Sequence, residues 1–275
     1  MEEKKLFCVS LGCDKNLVDT EKMLRLIRDM GISFTDDQGE ADIILINTCC
    51  FIGDAKEESV NTILEMAEEK KEGRCRALIV TGCLAQRYKE EILEEIPEVD
   101  AILGTTSWEE IGAVIRGICG GQESHVSCFH DLKELPASEG RIVTTGGYYA
   151  FLKIAEGCDK RCTYCIIPYL RGPYRSVPME DLLAEARELA RGGVRELILV
   201  AQETTLYGVD LYGEKSLPRL LKELAKIPEI RWIRIQYCYP EEITDELIAV
   251  IKEEKKVCHY LDIPIQHASD RILRR

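Results

Sequence analysis

The sequence lacks any long, uninterrupted apolar run. Its opening, MEEKKLFCVSLGC, is charged and then strand-like, without the basic start and apolar stretch of a signal peptide. No segment approaches the roughly 18 consecutive apolar residues that a membrane-spanning helix needs. We therefore expect a cytoplasmic protein with no membrane partner.

Positive charge is also scarce. The 275 residues include 36 Lys and Arg against 49 Asp and Glu, which gives a formal net charge of −13. An acidic surface repels a phosphate backbone unless positive charge is concentrated locally, so direct nucleic-acid binding by this chain is disfavoured. Acidic surfaces also serve solubility alone, so net charge does not by itself identify a partner.

Low-complexity segments and short internal repeats are absent as well. The first part of the chain alternates strand-length apolar runs with amphipathic segments, which predicts a Rossmann-like parallel sheet domain over residues 1–122. Asp14 or Asn16 is expected to cap the first helix. Gly31 is expected to end that helix in a left-handed conformation.

A Gly-rich, polar stretch over residues 123–147 predicts a linker with room for one short strand. The alternation then resumes, so residues 148–275 are predicted to form a second α/β domain. Helices are expected at about residues 179–191, 217–225 and 244–254.

The sequence is rich in cysteine, with 13 residues. In a reducing compartment such a set is unlike a disulfide framework, so the spacing of the cysteines indicates metal ligation or redox chemistry. Cys158, Cys162 and Cys165 follow the strand-like run FLKIAEG in one short loop, GCDKRCTYCIIP. One loop of this spacing can wrap a single metal centre.

Three thiolates satisfy three irons of a [4Fe–4S] cube and leave one iron open for a small ligand. S-adenosylmethionine (SAM) can chelate such an iron, and an electron from the cluster then cleaves a carbon–sulfur bond to give a 5′-deoxyadenosyl radical. The alternative is a zinc site, which usually has four Cys or His ligands. No second CxxC or HxxxH lies nearby, so a catalytic iron–sulfur cluster is favoured.

A second group of cysteines lies in the first domain. Cys13 ends LGC, Cys49 ends INTC and Cys83 ends VTGC, and each follows an apolar strand. Because the carboxyl ends of parallel strands share one edge of a sheet, three loops can bring these thiols together. For any one of them alone, a buried structural thiol is the favoured interpretation. Cys50 adjoins Cys49 and could replace it as a ligand.

The other cysteines are expected to have structural roles, and they are Cys8, Cys75, Cys119, Cys128, Cys238 and Cys258. Among the histidines, only His267 in PIQHAS follows a strand in a way that could face an active site. His125, His130 and His259 carry no such signal.

With these residues in place, the chain resembles the methylthiotransferases, radical SAM enzymes that insert sulfur into a C–H bond and methylate it. The resemblance covers essentially the whole chain and is carried by SLGCDKNLVDTE, INTCCFIGDAKEES, VTGCLAQRY, EGCDKRCTYCIIPYLRG, AQETTLYGVDLYG, YCYPEEI and LDIPIQHAS. It implies two [4Fe–4S] clusters, an auxiliary one held by Cys13, Cys49 and Cys83 and a SAM-binding one held by Cys158, Cys162 and Cys165.

The segments at residues 201–204 and 266–269 are similar to the family branch that modifies a ribosomal protein. The tRNA-modifying branch has a GQN-type and a serine-rich sequence there. The resemblance therefore implies methylthiolation of the β-carbon of an aspartate in ribosomal protein uS12, with one SAM as methyl donor and one as radical source. Alternatives are a tRNA adenosine methylthiotransferase and a non-catalytic iron–sulfur module.

The same resemblance implies an electron donor such as flavodoxin or ferredoxin as a second partner. It also implies that Tyr164 lies beside the adenine of SAM and that Gln202 and Glu203 hold its polar groups. Ordinary loop polarity is the alternative for the last two.

The family continues through a six-stranded radical SAM (β/α) partial barrel and a small β-rich TRAM domain. This chain ends at ILRR, just after the fourth barrel strand. We therefore expect an incomplete barrel, with about four of six strands, and no C-terminal TRAM domain.

Overall fold

The computed structural model describes residues 4–121, 125–136 and 140–274. The chain divides into two compact units, one made of Met1–Ile142 with Lys160–Pro173 and one made of Val143–Asp159 with Tyr174–Arg275. The division passes between Cys158 and Cys162. The domain limits at residues 122 and 148 stay a prediction.

In the described part of the first unit, a six-stranded parallel sheet has the order β2-β1-β3-β4-β5-β6. Its strands are β1 (Lys5–Ser10), β2 (Ser33–Phe34), β3 (Ile43–Thr48), β4 (Ala77–Gly82), β5 (Ala101–Leu103) and β6 (Val126–Cys128). The helices are α1 (Asp14–Asp29), α2 (Gly53–Glu72), α3 (Cys83–Tyr88), α4 (Glu90–Glu95), α5 (Ile111–Cys119) and α6 (Ile167–Arg171). Strand β6 is the short strand for which the predicted linker had room.

Both faces of this sheet are covered, because successive side chains of a strand point to opposite sides. Ile43 of β3 packs in a cluster with residues of α1 and α5, whereas Ile44 packs with residues of α2, α3 and α4. The central strands β3 and β4 are buried at every position. Such continuous burial is typical of parallel sheets with helices on both faces.

In the second unit, four parallel strands among the described residues form a sheet of order β12-β11-β10-β7. The strands are β7 (Tyr149–Lys153), β8 (Ala155–Glu156), β9 (Arg175–Ser176), β10 (Glu196–Val200), β11 (Trp232–Ile235) and β12 (Val257–Leu261), of which β8 and β9 form a separate antiparallel pair. The helices are α7 (Met179–Arg191), α8 (Val209–Tyr212), α9 (Leu217–Ala225), α10 (Asp245–Glu253) and α11 (Asp270–Leu273). Apolar residues of α7, α9 and α10 bury one side of the sheet.

The start of α1 differs from the prediction. Neither Asp14 nor Asn16 caps the helix: Cys13 occupies the N-cap position and makes no side-chain cap hydrogen bond. Asn16 is buried inside the helix and donates instead to the carbonyl oxygens of Leu11, at 3.1 Å, and Thr48, at 2.9 Å. A capping side chain accepts through its oxygen, and Oδ1 of Asn16 instead accepts from the Arg171 guanidinium, so the cap prediction for Asn16 was wrong.

The end of α1 follows the prediction. Gly31 has a φ of +80°, and its N–H donates to the carbonyl of Arg28 at 2.9 Å. A left-handed glycine after the last turn is a common helix ending, because glycine has no Cβ to clash there.

Judged by length and hydropathy, no helix in the described ranges is able to cross a bilayer. The cytoplasmic location stays a prediction.

The turn after β4 tolerates only glycine. Gly82 has a φ of +91°, and a Cβ on it would lie 2.3 Å from Oδ1 of Asn47 and 2.5 Å from the carbonyl oxygen of Thr48. We expect Gly82→Ala to lower the free energy of unfolding by roughly 3 kcal/mol, because left-handed strain and a clash with fixed neighbours add together. Urea denaturation measures this.

Gly31→Ala is the matched control, since Gly31 has a φ of +80° but nothing within 4 Å of an added Cβ. It should cost only about 1 to 2 kcal/mol from backbone strain. Equal losses in the two variants would contradict the close packing at Gly82.

Candidate functional site

Three cysteines of the first unit follow neighbouring strands at the same edge of the sheet. Ser10 of β1 pairs with Asn47 of β3, and Thr48 of β3 pairs with Gly82 of β4, so the three strands end nearly level. Cys13, Cys49 and Cys83, here called the N-terminal triad, come within three residues of those ends. This is the carboxyl edge, where open α/β sheets bind ligands.

The loops of the triad pack closely at two glycines. A Cβ on Gly12 would lie 2.7 Å from Cβ and 3.0 Å from Sγ of Cys49. Gly12 has a φ of +90°, which lies in the left-handed region that glycine adopts without strain. Only a bare backbone therefore leaves room for the Cys49 thiol beside the loop that carries Cys13.

The electrostatics of Cys83 also indicate that the triad is close together. The pKa of the Cys83 thiol is raised to about 12, mainly by burial and in smaller part by the neighbouring Cys13 and Cys49. The Arg171 guanidinium opposes this shift through its charge and a hydrogen bond. Cys13 is exposed while Cys49 and Cys83 are buried, so the triad lies between core and surface.

Polar side chains hold the loops of the triad in place. The amide of Asn47 donates to the carbonyl of Asn16 and to Oγ1 of Thr20, both at 2.9 Å. Ser59 accepts from the Cys49 N–H at 3.0 Å and donates to the Cys49 carbonyl at 2.8 Å. Since Asn16, Asn47 and Ser59 are all buried, these bonds are costly to lose.

Cys50 lies differently from Cys49. Its thiol donates to the carbonyl oxygen of Cys83 at 3.2 Å and packs in the apolar cluster under α2 and α3. Burial raises the pKa of the Cys50 thiol, and Arg87 partly offsets this. The Cys49 thiol, by contrast, lies beside Gly12.

The loop with Cys162 and Cys165 belongs to the first unit as well. The N–H of Cys165 donates to the carbonyl of Cys162 at 2.9 Å, and burial raises the pKa of the Cys165 thiol. Tyr164, between them, is 68% exposed. Helix α6 follows directly and anchors the loop, because buried Leu170 accepts a hydrogen bond from Oγ1 of Thr105 at 2.7 Å.

Arg171, at the end of α6, connects this segment to the triad. Its guanidinium is 2% exposed, bonds Oδ2 of Asp19 at 2.8 Å and donates to Oδ1 of Asn16. The Cys83 thiol lies 4.0 Å from the same Asn16 oxygen. A buried arginine thus sits between the cysteine loop of residues 162–165 and the triad.

In the second unit, polar groups converge after β8 and β10. Buried Glu156 accepts from Lys153 at 2.8 Å and from Gln202 Nε2 at 3.0 Å. The Oε1 atom of Gln202 is buried and has no hydrogen-bond partner among the described residues. Cys158 follows two residues after Glu156 and is 8% exposed, so it lies at the same edge as Gln202.

Glu203 is fully buried, and its carboxylate accepts from the backbone N–H of Thr205 at 2.9 Å and from the Thr205 hydroxyl. The carbonyl of Glu203 accepts from the hydroxyl of Tyr174 at 2.9 Å. His267 is exposed, and its Nδ1 accepts from the Ser269 N–H at 2.9 Å. The predicted SAM contacts of Gln202 and Glu203 stay predictions, as does any role of His267.

The donor set fits iron–sulfur ligation. The thirteen cysteines all lie in described residues, and none forms a disulfide. The triad offers three sulfur ligands framed by glycines that leave space beside Cys49, as a three-ligand cube requires. The orphan oxygen of Gln202 fits a donor such as the amino group of SAM.

Sequence reasoning missed the residues that frame these cysteines. Asn16 was read as a cap, and Arg171 and Asp19 were not singled out. The stretch YLRG places Arg171 shortly after Cys165, but an arginine on a short helix reads as a surface residue. Its burial depends on contacts with α1, which lies some 150 positions earlier.

The buried ion pair of Arg171 and Asp19 makes a testable contribution to stability. We expect Arg171→Met to lower the free energy of unfolding by about 3 to 5 kcal/mol, because the Asp19 carboxylate loses this buried countercharge. Denaturant titration measures the loss.

The matched control is Arg25→Met. Arg25 bonds Asp29 at 2.8 Å on the surface, with side-chain exposures of 31% and 54%, and should contribute less than about 1 kcal/mol. A loss for Arg171→Met no larger than that of the control would refute the buried pair.

Two family models match the chain. Residues 5–104 match "Uncharacterized protein family UPF0004", and residues 152–275 match the radical SAM superfamily. The two matched regions contain, respectively, the N-terminal triad and the cysteines at positions 158, 162 and 165.

Curated relatives match nearly the whole chain. The ribosomal protein uS12 methylthiotransferase RimO of Lachnoclostridium phytofermentans is 68% identical over 272 residues, which cover 98% of this chain and 61% of that protein. RimO of Acetivibrio thermocellus is 53% identical over 278 residues, covering 99% and 61%. The chain thus spans about three fifths of the length of these relatives.

Among solved structures, the radical SAM methyltransferase TsrM of Kitasatospora setae is similar in fold. With cobalamin and a [4Fe–4S] cluster bound, it superposes with a TM-score of 0.68 at 11% identity, covering 99% of this chain and 62% of TsrM. With tryptophan and a SAM analogue bound, it gives a TM-score of 0.66 at 11% identity, covering 98% and 61%.

These findings confirm the predicted fold class, a Rossmann-like parallel sheet followed by a radical SAM-type domain with four parallel strands among the described residues. A radical SAM chain uses SAM and a [4Fe–4S] cluster, as predicted. Over nearly its whole length the chain is thus similar to the RimO-type methylthiotransferases, and its residues 152–275 match the radical SAM superfamily.

Proposed function

We propose that this chain forms the cluster-binding part of a methylthiotransferase that modifies the β-carbon of an aspartate in ribosomal protein uS12. Cys158, Cys162 and Cys165 hold the SAM-binding [4Fe–4S] cluster, and the N-terminal triad holds the auxiliary one. The curated relatives, which this chain matches at 53% and 68% identity, are named as ribosomal protein uS12 methylthiotransferases.

The position of Arg171 is the observation that supports this proposal best. It lies six residues after Cys165 and reaches, within the first unit, the Asn16 oxygen next to Cys83. A methylthiolation needs the carbon radical and the sulfur donor to meet at short range. The buried Arg171 side chain links the Cys162–Cys165 loop to the triad and so holds these two segments of the first unit near each other.

When bound, the clusters and SAM supply a 5′-deoxyadenosyl radical at one site and a sulfur that can be methylated at the other. The chain's own residues position these groups. The bare backbone of Gly12 leaves room for the Cys49 thiol, and the Arg171 guanidinium places positive charge beside the Cys83 thiol. Positive charge at that point favours the thiolate, the form that binds iron.

In the second unit, Gln202 is the better supported of the two proposed SAM contacts. Its Nε2 is held by Glu156 at 3.0 Å, which directs the vacant acceptor Oε1. Glu203 is fully buried, and its carboxylate already accepts a hydrogen bond from Thr205, so it is the less well supported of the two SAM contacts. Tyr164 is exposed and offers its ring for stacking on adenine.

The remaining parts of the proposal concern partners and location. An electron donor such as flavodoxin or ferredoxin would reduce the SAM-binding cluster. Thirteen free cysteines fit a reducing, cytoplasmic compartment. The net charge of −13 favours a protein substrate over a nucleic acid.

Activity is tested by anaerobic reconstitution of the chain with iron, sulfide and SAM, with the complete protein of Lachnoclostridium phytofermentans as positive control. We expect 5′-deoxyadenosine and, by mass spectrometry, a methylthio gain on the target aspartate of uS12. A gain on tRNA instead would show the tRNA methylthiotransferase alternative to be right. Failure to cleave SAM after full cluster loading would overturn the radical SAM role.

Ligand choice between Cys49 and Cys50 gives a separate test. We expect Cys49→Ala to lose about four irons per chain after reconstitution, because a cube with two protein ligands is not retained. Cys50→Ala should keep its iron, since the Cys50 thiol is engaged with the Cys83 carbonyl. Iron analysis and electron paramagnetic resonance measure the cluster content of both variants. Loss of iron in Cys50→Ala but not in Cys49→Ala would show that Cys50, and not Cys49, is the ligand.

A further inference from the structure

A second group of metal-binding side chains lies in the first unit, away from the proposed cluster ligands. Glu109 and Glu110 end the 3₁₀ turn after β5, and Cys128 and His130 lie at the end of β6. Cys128 pairs with Leu103 of β5, so the two loops leave the sheet side by side. These four residues are called the edge cluster.

The distances within the edge cluster fit ligands around one ion. His130 Nε2 lies 3.7 Å from Oε1 of Glu110 and 3.9 Å from Sγ of Cys128. Tetrahedral zinc sites place such N–O and N–S ligand pairs about 3.4 and 3.6 Å apart. A nitrogen–oxygen distance of 3.7 Å is too long for a direct hydrogen bond. The ligand atoms of Glu109, Glu110 and His130 are close enough to surround one ion, and the Cys128 thiol lies next to His130.

Glu109 completes the arrangement from the other side of the ring. Its Oε1 lies 3.7 Å from Nδ1 of His130, and the ligand atoms of Glu109, Glu110 and His130 lie within 4.8 Å of one another. Metal-bound histidines usually donate their second ring N–H to a carboxylate, which orients the ring. At 3.7 Å Glu109 makes no hydrogen bond to Nδ1, but its carboxylate is close enough to the other ligand atoms to bind the ion itself.

The backbone around the edge cluster is held firmly. The His130 N–H donates to Oγ of fully buried Ser107 at 2.7 Å, and Oγ1 of Thr106 donates to the His130 carbonyl at 3.3 Å. Gly104 N–H bonds the Cys128 carbonyl at 2.9 Å. Exposures of 29%, 33% and 42% for the His130, Glu109 and Glu110 side chains leave a path for an ion from solvent.

We propose that the edge cluster binds a divalent transition-metal ion such as zinc, independently of the iron–sulfur ligands. A thiol, an imidazole and carboxylates form a donor set that zinc accepts in proteins. The site follows β5 and β6, whereas the N-terminal triad follows β1, β3 and β4. Bound metal would fasten β6, the last strand of the sheet, to the turn after β5.

The test is the zinc content of the cluster-loaded chain after incubation with zinc and desalting, with iron counted in the same samples. We expect about one zinc per chain in the unaltered protein, and loss of that zinc in His130→Ala and in Glu110→Gln, with iron unchanged. His259→Ala and Cys119→Ser are controls that keep the zinc. Circular dichroism confirms that each variant is folded.

Thermal unfolding provides a second readout. Zinc should raise the melting temperature of the unaltered chain and of both controls, but not that of His130→Ala. The proposal is overturned if the unaltered chain retains no zinc, or if His130→Ala and Glu110→Gln retain as much as the controls. Loss of iron with zinc retained would count against the iron–sulfur proposal alone.

Discussion

The rest of the first unit depends on one buried ion pair. Arg171 and Asp19 are both almost fully buried, and the same guanidinium donates to Asn16. Asn16 in turn donates to the carbonyls of Leu11 and Thr48. Because a buried charge without its partner is costly, this network allows few alternative arrangements of the loops after β1 and β3. The positions of Cys13 and Cys49 follow from it.

The parallel topology explains why functional groups gather at one edge of each sheet. In the first unit, the triad and the edge cluster both follow strand ends. In the second, Glu156, Cys158 and Gln202 do the same. A parallel strand leaves its sheet in the same direction as its neighbours, so every loop at that edge can add a side chain to a shared site. The same parallel topology thus places both groups of cysteines after strand ends.

Close packing limits which residues can stand at these strand ends. Gly12 and Gly82 both have φ near +90°, and a Cβ on either would meet fixed atoms within 3 Å. Gly31 has a similar φ but open space around it. A left-handed glycine can therefore serve the backbone turn alone, as Gly31 does at the end of α1, or the turn together with a neighbouring loop, as at Gly12 and Gly82. Only the surroundings distinguish the two.

Much of the fold was predictable from periodicity. The helices α7 and α9 begin and end where the apolar spacing placed them, at residues 179–191 and 217–225, since an amphipathic pattern is a local property. The cysteines were found because their spacing and their positions after strands are local too. The cap of α1 was predicted wrongly, because Asn16 serves loops that are distant in sequence.

The sequence by itself determined most of the helices and strands and the class of fold, and it predicted the cysteine ligands, because each depends on neighbours along the chain. Tertiary structure decided which groups meet. It buried Arg171 against Asp19 and separated the Cys49 and Cys50 thiols. It also brought His130, which carried no signal in the sequence, to Glu110. Such contacts join residues tens of positions apart, so only the folded backbone brings them into range.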